Sequence, residues 1–303
     1  MEVYLTWYAN PPDPYYWEWI PDLNGIVVSL SSLRGKLLDS LGLRGLKLLV
    51  RQGKVIVDSL YSSLSKDPLG SLEPLQSWVL HVQRLLGADI LVHRDIPLVR
   101  RGLSSDLKER LLRRTVLNAE LAFRLAEKLG VEVMLVAQGW DAESYKRCAR
   151  VYADLGARYV GVGSLVPKRR NPDLIEEVLS AVREVVGRRV HLHLFGVSSP
   201  KAIVRLAKYV DSVDISTPMR AAVARELLVE SGSSLRRVHM LTVGEELLYE
   251  HLEKVDRRLA EAARGARSSR ELLRYVAVYN AKVLIGWIRK RLGCPWRSCS
   301  QRE

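Results

Sequence analysis

Residues 131–163 read VEVMLVAQGWDAESYKRCARVYADLGARYVGVG. Two apolar runs, VEVMLVA (131–137) and RYVGVG (158–163), flank the stretch AESYKRCARVYADLG (142–156), which follows a helical design. The runs are continuously apolar more than strictly alternating, which is typical of buried strands in a parallel sheet. The stretch between them has apolar positions at the three- and four-residue spacing of an amphipathic helix. Residues 131–163 therefore predict one β–α–β unit.

The same unit recurs along the chain. Further predicted strands are GIVVSL (25–30), KVIVD (54–58), ADILVH (88–93), VHLHLF (190–195), VDSVDI (210–215) and VHMLTV (238–243). Helical stretches are predicted at 107–130, 171–187 and 199–210. Eight strands that alternate with helices predict an α/β fold, the (β/α)8 TIM barrel. An open doubly wound sheet is the alternative, but no glycine-rich nucleotide-binding motif supports it.

Two segments are predicted to lie outside the barrel, which would span residues 25–243. Residues 1–24 form a lead-in rich in aromatic residues and proline. Residues 244–303 are predicted to form a basic helical region, since residues 251–303 hold 13 Lys/Arg against 5 Asp/Glu within a chain of net charge +13. A basic face can follow the phosphates of a nucleic acid, although a solvated helical face would have the same composition.

Composition narrows the class of protein. No apolar run approaches the roughly 18 residues of a membrane span, and the N-terminus lacks the features of a signal peptide. We therefore expect a cytoplasmic protein that does not contact a membrane. Three cysteines are too few for a disulfide framework in 303 residues. Cys148 is expected to be a small buried hydrophobe, whereas Cys294 and Cys299 lie in a tail where they could pair, bind a metal or be incidental.

Polar residues and glycines follow the ends of the predicted strands, where a TIM barrel places its chemistry. They are Asp58-Ser59, Asp95, Gln138-Gly139, Gly163-Ser164, Phe195-Gly196 and Asp214. Paired carboxylates suit glycosyl chemistry, because one can attack an anomeric carbon while the other transfers a proton. A third carboxylate and an amide can bind the N–H edge of a purine-like base. Each aspartate could instead cap the following helix, but three at one rim favour a functional site.

Two histidines lie on one predicted strand. His191 and His193 are interpreted as pointing to opposite faces, so that at most one reaches the barrel interior, and a structural role is expected for each. The seven tryptophans and the N-terminal aromatic residues are expected to pack in the core and the lead-in, although they could stack on nucleobases.

Six ordered segments resemble the tRNA-guanine transglycosylase family. They are NGIVVSLSSLRG (24–35), VIVDSLYSSLS (55–65), LLGADILVHRDIPL (85–98), LVAQGWDAESYKRCARVYADLGARYVGVGSL (135–165), LHLFGVSSP (192–200) and VDSVDISTPMRAA (210–222). The resemblance implies an enzyme that replaces guanine in a nucleic acid with a free guanine or 7-deazaguanine base. It favours tRNA over DNA as the polymer, and on the resemblance alone we expect a homodimer.

The resemblance also implies roles for individual residues. Asp214 would attack C1′ of the target nucleoside and form a covalent intermediate, and Asp58 would be the general acid and base. The residues implied to bind or shape the base site are Ser59, Asp95, Gln138, Gly163, Ser164, Leu165, Phe195 and Gly196. Arg220 and the basic helices after residue 250 would hold phosphates.

The sequence departs from the family pattern at two places. The family carries a zinc site with three closely spaced cysteines and a later histidine, but residues 226–290 contain no cysteine, and Cys294 and Cys299 come too late. We therefore predict no cofactor and no zinc site of the family type. Leu60 and Tyr61 replace two glycines after Asp58, which leaves the shape of the base pocket open.

These departures keep other readings open. The same chemistry could act on DNA, or the chain could be a non-catalytic nucleic-acid-binding paralogue or subunit. Retention of both Asp58 and Asp214 weakens the second reading, because a binding module needs neither. An unrelated barrel enzyme, such as a lyase or a phosphosugar enzyme, is disfavoured because no lysine ends a strand and no phosphate loop is evident.

Overall fold

The chain folds around a closed barrel of eight parallel strands. The computed structural model describes residues 1–8, 13–33, 45–50, 52–59, 76–98, 102–165, 171–196 and 199–293, so that Leu60, Tyr61, Cys294 and Cys299 lie outside the described residues. The barrel strands are β1 (Glu2–Thr6), β2 (Gly25–Ser29), β3 (Lys54–Asp58), β4 (Ile90–Val92), β5 (Glu132–Ala137), β6 (Tyr159–Val162), β7 (His191–Leu194) and β8 (Ser212–Ile215). Each strand pairs with the next, and β1 also pairs with β8. The predicted (β/α)8 barrel is confirmed.

Helices follow most of the strands and cover the outside of the barrel. They are α1 (Tyr16–Trp19), α2 (Leu46–Leu49), α3 (Gln76–Leu85), α4 (Ser105–Leu129), α5 (Ala142–Asp154), α6 (Pro172–Val186), α7 (Pro200–Leu206) and α8 (Thr217–Val223). A short 3-10 turn, Leu30–Ser32, follows β2. Helix α6 begins where predicted, because the Asn171 side chain accepts a hydrogen bond from Leu174 N and Pro172 occupies the first turn. Cys148 is buried on α5, as predicted.

The eighth barrel strand is not the predicted one. Residues 238–243 were expected to form it, but β1 from the lead-in takes its place between β2 and β8. Val3 and Leu5 face the helices and Tyr4 faces the barrel interior, so this short strand is buried on both sides. His239 instead ends a second strand of a hairpin, β9 (Glu226–Ser231) with β10 (Ser234–His239), and α9 (Met240–Val243) follows it. Two expectations are thus wrong: that residues 1–24 lie outside the barrel and that residues 238–243 belong to it.

Two layers of apolar side chains hold the barrel. The interior layer comprises Tyr4, Val27, Ile56, Ile90, Val92, Met134 and Val136, with Tyr159 and Phe195 packed against it. A larger cluster fills the space between the strands and the helices. Side chains alternate between these two layers along each strand. The inward-facing side chains at the carboxyl end of each strand therefore lie at the mouth of the barrel.

The C-terminal region packs against the barrel through helices. It comprises α10 (Glu245–Val255), α11 (Arg257–Arg264) and α12 (Ser269–Arg291). Asn280 of α12 is fully buried: its side-chain oxygen accepts from Leu228 N at 2.7 Å, and its amide donates to Glu226 O at 3.0 Å and Pro218 O at 3.3 Å. One amide thus joins α12 to both α8 and β9. Among the described residues, no helix is long and apolar enough to cross a membrane.

Candidate active site

The carboxyl ends of β3 to β7 surround a small cavity of about 160 Å³. It is lined by Asp58, Ser59, Asp95, Pro97, Val136, Gln138, Gly163, Ser164 and Phe195. Seven of these nine residues were predicted from the sequence, and Pro97 and Val136 were not. Pockets for drug-sized molecules begin near roughly 300 Å³, so this cavity suits one small planar molecule better than a whole nucleotide.

Asp95 and Gln138 form the polar edge of this cavity. Ser59 Oγ donates to Asp95 Oδ1 at 3.2 Å, and the Gln138 amide donates to the other oxygen of Asp95. The Gln138 side-chain oxygen is buried and has no hydrogen-bond partner among the described residues. Buried polar atoms are nearly always hydrogen-bonded, so an open acceptor at this point marks a place for a donor on a ligand.

Asp58 and Asp95 differ in pKa and therefore in protonation state at neutral pH. Burial and, to a smaller extent, the neighbouring carboxylates of Asp95 and Asp214 together raise the pKa of Asp58 to about 8, against the Ser59 N–H that donates to it at 2.7 Å. Burial also raises the pKa of Asp95 to about 6, but hydrogen bonds from Gln138 and Ser59 oppose that rise. At neutral pH Asp58 therefore carries a proton while Asp95 is mostly ionised, a division of roles that suits an acid and a base-binding carboxylate.

The backbone after β6 passes close to the side chains that line the cavity. A Cβ on Gly163 would lie 2.4 Å from Gln138 Nε2, so only glycine allows this amide to reach Asp95. Ser164 has φ of 59°, which is unusual for a residue other than glycine, and its Oγ accepts from Leu98 N at 3.1 Å. Leu165 was predicted to help bind the base through its backbone; its side chain is buried in the core, the residue is not among those that line the cavity, and the backbone role stays a prediction.

Asp214 lies on β8 and points into the mouth from the opposite side. Its Oδ2 accepts from Thr6 Oγ1 at 3.0 Å, and its Oδ1 accepts from Gly196 N at 2.9 Å. The N-cap position of the helix that follows is Ser216, two residues later, so the interpretation of Asp214 as a helix cap is wrong. The carboxylate is only 8% exposed and is held by donors from two neighbouring strands.

Gly196 and Thr6 have roles that the sequence did not reveal. Gly196 was predicted to shape the base slot, but its N–H holds Asp214, and its φ of +72° requires a residue without a side chain. Thr6 was missed because the lead-in was not recognised as a strand. Thr6 comes two residues after Tyr4, so the two-residue period of a strand could have placed it on the same side. Both residues face the barrel interior.

A larger groove of about 590 Å³ adjoins Gly196 on the Asp214 side. Four basic residues line it: Lys201, Arg205, Arg220 and Arg237. Arg205 pairs with Asp173 and Glu176, and Arg237 pairs with Glu226. Arg220 is exposed on α8, six residues after Asp214, and its phosphate-binding role stays a prediction.

The two histidines of β7 share one face, so their predicted placement on opposite faces is wrong. His191 Nε2 lies 2.7 Å and His193 Nδ1 lies 2.8 Å from the same Ser212 Oγ. The reason is the two-residue period of a strand, which puts residues i and i+2 on the same side. That spacing was visible in the sequence.

The described residues after the barrel do not offer the ligand set of a zinc ion. No group of three potential ligands occurs among the described residues, and residues 226–290 contain no cysteine. His239 Nδ1 accepts from Leu241 N, and His251 packs edge-on against Tyr279. We therefore assign no step of the chemistry to a metal at this place.

Fold and site together define a TIM-barrel protein with a carboxylate-lined cavity of base size at its mouth. The profile of the queuine tRNA-ribosyltransferase family matches residues 39–254, more than two thirds of the chain, and the protein belongs to this family. A DNA-guanine transglycosylase of Salmonella montevideo is 26% identical over 88 residues, which are 29% of this chain. The matched segment spans only 21% of that relative.

Proposed function

We propose that this protein is a pentosyltransferase that replaces guanine in a nucleic acid with a free guanine or 7-deazaguanine base. One observation carries the proposal. A hydrogen-bonded carboxylate, Asp214, and a carboxyl group that keeps its proton, Asp58, face the same mouth closely enough for the charge of Asp214 to raise the pKa of Asp58. A nucleophile and an acid in this arrangement suit displacement at an anomeric carbon.

In the first half-reaction, a carboxylate oxygen of Asp214 attacks C1′ of the target nucleoside. The bond between C1′ and the base nitrogen breaks, and its electron pair stays on the base. Asp58 donates its proton to the leaving base, which departs neutral, and the ribosyl or deoxyribosyl group remains as an ester of Asp214.

In the second half-reaction, the incoming base occupies the same cavity. Asp58, now a carboxylate, takes the proton from the ring nitrogen as that nitrogen attacks C1′. The ester bond breaks, Asp214 recovers its charge, and Asp58 is ready for another cycle. Two displacements at one carbon retain the configuration of the sugar.

Base recognition rests on the polar edge of the small cavity. An ionised Asp95 accepts from the adjacent N–H groups of a guanine edge, and the open Gln138 oxygen accepts from one more donor. Ser59 stays on Asp95 and keeps it oriented. Because the cavity admits a base and little else, the target nucleotide must leave its stack to enter.

We propose tRNA as the polymer, because the family profile that spans most of the chain is that of a tRNA-ribosyltransferase. DNA is the second candidate, since the Salmonella relative is named for action on DNA. The groove that contains Arg220 would hold the phosphate backbone in either case.

The experiment offers the protein labelled guanine, and in parallel a labelled 7-deazaguanine, with unmodified tRNA and, separately, with duplex and single-stranded DNA. We expect label in tRNA. Label in DNA alone would move the substrate to DNA and leave the chemistry intact, whereas no label in any polymer would refute base exchange. A variant of an exposed carboxylate far from the mouth, Asp154→Asn, serves as the matched control and should behave as wild type.

We further propose that the protein exchanges bases without zinc and as a homodimer. Elemental analysis of the purified protein should find no stoichiometric zinc, and chelator treatment should leave exchange unchanged. Light scattering should give twice the chain mass of 34.3 kDa. One equivalent of zinc per chain would refute exchange without zinc, and a monomer mass would refute the homodimer.

A further inference from the structure

A chain of hydrogen bonds runs along the barrel interior beneath Asp214 and is not used in the proposed reaction. His193 is fully buried, and its Nδ1 lies 2.8 Å from Ser212 Oγ. The same hydroxyl lies 2.7 Å from His191 Nε2. On the far side of its ring, His193 Nε2 lies 3.6 Å from Asp214 Oδ1 and has no hydrogen-bond partner among the described residues.

The carboxylate fixes the direction of this chain. A serine hydroxyl has one proton to donate, so Ser212 can donate to only one of the two histidines and must accept from the other. If Ser212 donated to His191, a neutral His193 would carry its proton on Nδ1 and present a lone pair to Asp214, which is repulsive. If Ser212 donates to His193 Nδ1, the proton of His193 lies on Nε2 and points at Asp214. In the second arrangement Ser212 has a partner on each side, and an N–H of His193 faces the carboxylate instead of a lone pair.

We propose that His193 is a positioning residue for Asp214, held as its Nε2–H tautomer by Ser212 and His191 and donating to the carboxylate. The proposal rests on the proposed function, since it takes Asp214 as the nucleophile. It explains why a buried ring nitrogen without another partner faces a carboxylate. Gly196 and His193 then both hold Oδ1, which leaves Oδ2, whose one hydrogen-bond partner among the described residues is Thr6, as the oxygen that attacks.

The packing around His193 shows which substitutions keep the space filled while they remove or keep a hydrogen-bond donor to Asp214. Its ring meets Phe195 edge-on at 4.4 Å between centroids and Tyr4 at 5.9 Å, so the site needs a side chain of similar size. His193→Met fills the space without a donor. His193→Gln fills it with an amide that reaches about as far as Nε2 and can donate to Asp214.

The kinetic test compares these two variants in base exchange. A hydrogen bond to a charged group is worth about 1.5–3 kcal/mol, so we expect His193→Met to lower kcat by about 10- to 100-fold. The KM for the free base should not change, because His193 does not line the base cavity. His193→Gln should recover most of the rate. His81→Met, a surface histidine on α3, should match wild type.

The tautomer test needs no activity. Nitrogen-15 NMR of histidine-labelled protein should show His193 protonated on Nε2 and unprotonated on Nδ1, and Ser212→Ala should disturb that state. A proton on Nδ1, or a His193→Met variant with the wild-type kcat, would overturn the proposal. If wild-type protein exchanges no base, the proposed function fails, while the NMR result still decides whether His193 donates to Asp214.

Discussion

The two sides of the barrel mouth hold their carboxylates in different ways. On the side of β3 to β6, Asp58 is crowded by Asp95 and, among the described residues, receives one N–H, from Ser59. On the side of β8, Asp214 receives donors from Thr6 and Gly196. Identical side chains thus differ because of their neighbours: crowding and burial keep a proton on Asp58, and converging donors orient the carboxylate of Asp214.

The largest loss of base exchange is expected when Asp214, the proposed nucleophile, is replaced. Asp214→Asn keeps the shape of the side chain but removes the attacking oxygen charge, so exchange should fall by on the order of a thousandfold or more. Denaturing gels should show no covalent protein–nucleic acid adduct for this variant. An adduct that survives the substitution would remove Asp214 as the nucleophile.

Disabling the acid should cost less. Asp58→Asn cannot donate a proton to the leaving base, and general acid catalysis contributes about 100- to 10,000-fold. Because the pKa of Asp58 is raised to about 8, adduct formation by wild-type protein should fall as pH rises through that value. Single-turnover rates measured from pH 6 to pH 10 test this, and the variant should lack the fall. The same alkaline fall in the variant would assign it to another group.

The same substitution should stabilise the fold in alkali. An unfolded chain loses the Asp58 proton near 3.8, whereas the folded protein keeps it to about 8. Between these values the unfolded state binds fewer protons, so the free energy of unfolding of wild-type protein falls as pH rises. Asn has no such proton, and its advantage should grow across that window to about a few kcal/mol. Urea unfolding at pH 5 and pH 9 measures it, and equal differences at both pH values would contradict the prediction.

A smaller loss of base exchange is expected when Thr6, the donor to Asp214 from β1, is replaced. Thr6→Val removes the hydroxyl that donates to Asp214 and keeps the branched shape, so exchange should fall by about tenfold or less. Thr6→Ser keeps the hydroxyl and should retain most of the rate. Steady-state kinetics of the pair distinguish the two, and equal losses in both would indicate that packing matters and the hydrogen bond does not.

The smallest effect concerns backbone strain beside the base cavity. Ser164→Ala keeps a Cβ at positive φ and loses the acceptor for Leu98 N, whereas Ser164→Gly loses the same acceptor but relieves the strain. The glycine variant should therefore be the more stable of the two by about 1 kcal/mol, measured by thermal unfolding. An alanine variant of equal stability would show that Ser164 is not strained.

The sequence predicted the base side of the site better than the nucleophile side. Asp58, Asp95, Gln138 and Gly163 follow strands whose apolar runs are easily recognised, and the (β/α)8 pattern places their ends together. Asp214 was predicted, but its partners were not, because β1 is only five residues long and adjoins an aromatic, proline-rich stretch. Residues 238–243 resemble a strand in composition, yet they end a hairpin and begin a helix. Hydrogen bonds between distant segments, such as Gly196 N to Asp214, leave no local signal in a sequence.

The bond between Thr6 and Asp214 joins residues 208 positions apart, across the seam where β1 meets β8. Contacts between such distant parts of a chain form late in folding, because closing a long loop costs conformational entropy. The base cavity draws on strands that are neighbours in sequence and can be assembled earlier. The proposed reaction is thereby tied to completion of the barrel: without the pairing of β1 with β8, Asp214 lacks its Thr6 donor, whereas the residues that line the base cavity come from segments at the ends of β3 to β7.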